Sequence, residues 1–130
     1  MLLCCILDWS ATNRKKLDMK TFYLALDLVD DPVRIQEYEE HHKKVAPEIL
    51  KSITDSGITN MILYRTGNRL FMIIEAEDHF DFEEKSKMDA SNPKVQTWEA
   101  LMDTYQQRLP WSAEGDKWVL MKEIFNLKKQ

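Results

Sequence analysis

An α+β fold with the element order β-α-β-β-α-β is what the sequence predicts, and three observations predict it. Four apolar, strand-like runs stand at Thr21–Val29, Ile58–Thr66, Arg69–Glu77 and Trp118–Asn126. Helix-forming stretches with recognisable start signals lie between the first and second runs and between the third and fourth. The middle two runs are divided only by Gly67–Asn68, a turn so short that the strands it joins must form an antiparallel hairpin.

Each element has a local reason. Thr21–Val29 is dense in aromatic and apolar residues, as a largely buried strand is. Asp30 or Asp31 can cap the helix that follows, and Pro32 suits its first turn. The helical pattern then runs to Ser56 and stops at Gly57, with a kink or break expected at Pro47. After the hairpin come two helical pieces, Asp81–Asp89 and Pro93–Arg108, the second capped by Asn92. An irregular stretch, Leu109–Lys117, leads to the last strand. The order matches the ferredoxin-like pattern, a four-stranded antiparallel sheet with helices on one face. The other face of such a sheet needs cover, and a second copy of the chain is the expected cover, giving a homodimer of the dimeric α+β barrel type.

The chain has 130 residues, enough for one domain with its own core. Residues 1–18 carry both cysteines, Cys4 and Cys5, and an apolar run too short to span a bilayer. They also lack the basic start and cleavage site of a signal peptide. They read as an N-terminal extension ahead of a start at Met19, with 19–130 as the domain. Without them the chain has 20 acidic and 15 basic residues, so it stays acidic, and it holds no cysteine. Nucleic acid and membrane are therefore not expected partners, and a cytoplasmic setting is.

Candidate chemistry centres on "EYEEHHKKVAP", Glu37–Pro47. Ile35, Tyr38, Val45, Ile49 and Ile53 make a helical apolar stripe if residue 42 joins it, which places His42 on the inner face one turn after Tyr38. His41 is turned by about 100° and is expected to face solvent. An inward histidine is commonly a satisfied core residue. Here it has a tyrosine beside it, and imidazole titrates near neutrality, so it can take and give a proton. Trp98, Trp111 and Trp118 could stack on a sugar ring, although for Trp118 plain core packing is the simpler reading. Adjacent histidines point two ligands in different directions, and no zinc signature or phosphate loop is present, so no metal is expected.

The same residues carry a resemblance. "EYEEHHKKVAPEI", "GITNMILYR", "NRLFMIIE" and "NPKVQTWEALM" resemble, in order and spacing, the L-rhamnose mutarotase family over Met19–Leu127. Residues 1–18 have no counterpart in it. The resemblance implies a dimeric ferredoxin-like enzyme that interconverts the α and β anomers of 6-deoxy-hexoses, with a monosaccharide as its partner and neither cofactor nor metal. It implies that His42 is the general acid and Tyr38 a substrate-binding residue. A second binding tyrosine falls on Met61, the family's tryptophan pair is reduced to Trp98 followed by Glu99, and a tryptophan before the Pro-Glu is Ala46. These changes, and a tail similar to that of L-fucose-associated relatives, favour L-fucose, with L-rhamnose next. Tyr38, Glu75, Glu99 and water are candidates for the second proton-transfer group. The rival readings are a cofactor-free monooxygenase or haem-degrading domain, and a non-catalytic sugar-binding module, on the same fold.

Overall fold

A computed structural model describes residues 19–130, so the expected extension 1–18 lies outside the described residues. The first strand, β1 (Lys20–Leu28), leads into α1 (Pro32–Lys43). Asp31 is the cap: its carboxylate accepts from the backbone amides of Val33 and Arg34 at 2.9 and 3.3 Å. The break expected at Pro47 is present. A proline ring crowds the residue before it out of helical geometry, and Ala46 sits at φ −59°, ψ 142°. A second helix, α2 (Pro47–Asp55), starts directly after it. Gly57 then takes φ 101°, a conformation open to glycine, and turns the chain into β2 (Ile58–Thr66).

The hairpin of β2 with β3 (Arg69–Ala76) is antiparallel as expected, with a register shift between Ile58 and Asn60. Next come α3 (Phe82–Ala90) and α4 (Pro93–Asp103), the latter capped by the Asn92 side chain. Helix α4 is shorter than the expected Pro93–Arg108, because its final residues feed a two-residue strand, β4 (Gln106–Gln107). The last strand differs more. Only β5 (Val119–Leu120) pairs with β1, and the Met121 amide donates to the Tyr23 carbonyl at 2.7 Å. Residues 122–126 form no ladder. Their apolar composition resembles a strand, but a strand also needs a neighbour for its amides, and this segment peels away from β1.

The sheet order is β2-β3-β1-β4, with β5 also on β1, so two short pieces share the place of one fourth strand. The order is that of the ferredoxin-like arrangement. Because side chains alternate across a strand, Leu24, Leu26, Leu28, Leu70, Ile74 and Ala76 share one face and are all buried. Two apolar clusters form there, one around Leu24, Ile58, Ile74 and Phe80, the other around Leu28, Tyr38, Leu70 and Met102. Trp118 packs against both. The opposite face carries Tyr23, Tyr64 and Phe71, whose rings stack at 6.0 and 6.3 Å, and the Asp27–Arg69 ion pair.

Candidate active site

The stripe that runs along α1 continues into α2 across the break, so both helices turn it toward the sheet. Between them and the sheet is an open cavity of about 890 Å³ that draws its walls from both apolar clusters. That size suits a small-molecule ligand. Tyr38, His42, Met61, Trp98 and Glu99, the five residues singled out from the sequence, all line it. Trp118 and Gln106 do so too.

His42 is half-buried, and its ring is fixed on three sides. Nδ1 lies 2.7 Å from the backbone carbonyl oxygen of Tyr38. A carbonyl can only accept, so Nδ1 bears the proton and donates, and in the neutral ring Nε2 keeps its lone pair. Nε2 has no hydrogen-bond partner among the described residues. The Tyr38 ring packs beside the imidazole at 4.4 Å, and Trp98 meets it edge-on at 5.4 Å. Burial pushes the His42 pKa below the usual histidine value, the bond to the Tyr38 carbonyl pulls the other way, and the charge of neighbouring His41 lowers it further. At neutral pH the ring is therefore a base aligned by its own helix.

Tyr38 is buried, and burial raises its phenol pKa, opposed by a hydrogen bond from Gln106. It stays protonated at neutral pH. The Gln106 amide nitrogen lies 3.4 Å from the Tyr38 hydroxyl. Polar side chains at the wall are held by ion pairs: Lys85 with Asp89 at 2.5 Å and Lys117 with Asp103 at 2.9 Å.

Three expectations need correction. His41 does not simply face solvent: it is half-buried, with Nε2 3.2 Å from the Tyr105 hydroxyl, which in turn donates to Glu37 at 3.0 Å. The helix rotation was right, but the chain after α4 folds back over that side and covers it. Glu75 pairs with Thr21 on the strand face opposite the buried Ile74 and is not part of the cavity wall. Trp111 is 64% exposed and sits over Arg69, also away from the cavity. Gln106, Lys85 and Lys117 were missed. A glutamine in a two-residue strand and lysines within polar stretches carry no pattern that marks them as inward. Among the described residues no group of three or more His, Cys, Asp or Glu could hold a metal ion, and no helix is long and apolar enough to cross a membrane.

A ferredoxin-like fold with one aligned imidazole in a cavity of small-molecule size is the frame that the geometry provides, and comparison with known proteins gives it a family. The family model for L-rhamnose mutarotase matches residues 21–127. An L-fucose mutarotase from Xanthomonas campestris is 38% identical over 113 residues, covering 85% of this chain and 90% of its own. The chain belongs to the L-rhamnose mutarotase family, a family of isomerases. Among solved structures, an L-rhamnose mutarotase from Formosa agariphila shares the fold, with TM-score 0.61, 19% identity, and coverage of 83% of this chain and 98% of its own. A type-II polyketide cyclase from Streptomyces glaucescens is a more distant likeness, with TM-score 0.50, 18% identity, and coverage of 82% and 97%.

Proposed function

We propose that this protein is a mutarotase that interconverts the α and β anomers of a 6-deoxy-hexose, L-fucose ahead of L-rhamnose, with His42 as its acid/base group. The observation that supports the role of His42 best is its fixed tautomer, with Nδ1 on the Tyr38 carbonyl and a free lone pair at Nε2. L-fucose is favoured because the 38% identical relative bears that name. Met61 and the single Trp98 change the same cavity wall relative to the rhamnose enzymes.

The chemistry is a balanced proton exchange. Nε2 takes the proton of the anomeric hydroxyl as the bond from the anomeric carbon to the ring oxygen breaks, and the ring oxygen takes a proton from a water molecule. The open aldehyde turns about one bond. On closure the ring oxygen gives up its proton as it attacks the carbonyl carbon, and the imidazolium returns the other proton to the carbonyl oxygen. Tyr38 holds the sugar through its hydroxyl, while Trp98 and Met61 shape the wall. Such proton transfer contributes about 10²–10⁴-fold in rate. Anomer exchange followed by saturation-transfer NMR on both sugars tests the proposal.

The enzyme acts as a homodimer in the cytoplasm. Tyr23 and Tyr64 on the open sheet face are about half exposed, and Ile124 and Phe125 in the tail are 90% and 66% exposed. A second copy seated on these groups removes them from water.

A further inference from the structure

Gln106 enters the site from β4, where its backbone pairs with Leu28 of β1. Its side chain is unusual on two counts. The amide Nε2 lies 3.4 Å from Tyr38 Oη, and the amide Oε1 is buried with no hydrogen-bond partner among the described residues. Native proteins rarely leave a buried amide oxygen unpaired, so an amide kept there despite the penalty calls for a reason. A leucine would fill the same space without it.

The reason lies in Tyr38. A phenolic hydrogen lies near the ring plane, so it has two preferred positions. Amide nitrogen only donates, and an N–H aimed at the phenol oxygen occupies one of those positions. Resting on the mutarotase reading above, we propose that Gln106 is a positioning residue: its amide turns the Tyr38 hydroxyl proton into the cavity, so that Tyr38 meets the sugar as a hydrogen-bond donor. The 3.4 Å separation is long for such a bond, and active-site bonds of this kind commonly tighten when substrate binds.

The experiment compares wild type with Gln106→Leu and Gln106→Glu, measuring KM and kcat for anomer exchange and Tm for each. Leucine removes the donor and the unpaired oxygen together. KM is expected to rise about tenfold with kcat changed less than about threefold, and Tm is expected to match or exceed that of wild type. Ionised glutamate can only accept, so it draws the Tyr38 proton away from the cavity and raises KM at least as much. The carbon NMR signal of Tyr38 Cζ is expected to shift in both variants whether or not a sugar is turned over. Wild-type KM in Gln106→Leu overturns the positioning role while leaving the mutarotase reading intact. Activity and Tm falling together, with kcat carrying the loss, overturns it in favour of packing. If wild type accelerates the exchange of neither sugar, the mutarotase reading itself fails and the positioning role goes with it.

Discussion

The imidazole of His42 and the backbone carbonyl of Tyr38, four residues earlier on the same helix, are joined by a 2.7 Å hydrogen bond. The spacing is the helical repeat itself, and Tyr38 also supplies the ring beside the imidazole at 4.4 Å. One residue thus sets the tautomer of His42 and shares its wall. No distant partner is needed to orient the base, which explains how a small domain can present one.

The pH dependence follows from burial. The His42 pKa is lowered from 6.5, so the neutral, basic form is present at pH 7 and activity is expected to fall only below the shifted value. Stability moves in the same direction. The unfolded chain binds the proton more readily than the folded one, so the stability associated with His42 is full above about 6.5 and declines as pH falls toward the folded pKa. Titration of the His42 ring signal by NMR, in parallel with kcat/KM, is expected to give one common midpoint below 6.5.

His41 acts on that midpoint from outside the cavity. Its charge lowers the His42 pKa, so His41→Gln is expected to raise it and move the acid limb of the pH–rate profile to higher pH. The rate at neutral pH is expected to stay within about threefold of wild type, because the proton-transfer group itself is intact.

Trp98→Ala removes the edge-on contact with the imidazole. Aromatic pairs of this kind contribute about 0.5–1.5 kcal/mol beyond their buried area, so the loss corresponds to roughly a 2- to 13-fold weakening of a well-ordered site. Steady-state kinetics are expected to show a higher KM, with a correctly folded protein by circular dichroism.

Asn92 caps the helix that carries Trp98, accepting from the amides of Lys94 and Val95. Asn92→Ala is expected to destabilise the protein by about 1 kcal/mol in denaturant unfolding, with little effect on kcat.

Much of the fold was legible in the sequence. Strands β1 to β3 showed because dense apolar runs stand between turn signals, and the helix starts showed because Asp31, Pro47 and Asn92 with Pro93 are strong local punctuation. The fourth strand was legible only in part, since the expected Trp118–Asn126 contains the short pairing Val119–Leu120. Its place on β1 is shared by Gln106–Gln107 and Val119–Leu120, two short pairings with no periodicity to read. The cavity followed the same division. His42, Tyr38, Met61, Trp98 and Glu99 lay on readable helical or strand faces or matched a family pattern. Gln106 and Lys117 are inward only because of how the chain returns after α4, and Lys85 because of where α3 is placed, which is tertiary information.

If His42 exchanges the anomeric proton of a 6-deoxy sugar, the exchange rate must depend on its imidazole. Saturation-transfer NMR on L-fucose and L-rhamnose, with wild type, His42→Gln and His41→Gln, tests it most directly. Accelerated exchange is expected in wild type, with a loss of about 10²–10⁴-fold in His42→Gln and retention in His41→Gln. Exchange that persists undiminished in a folded His42→Gln protein, or that is absent for both sugars in wild type, contradicts it.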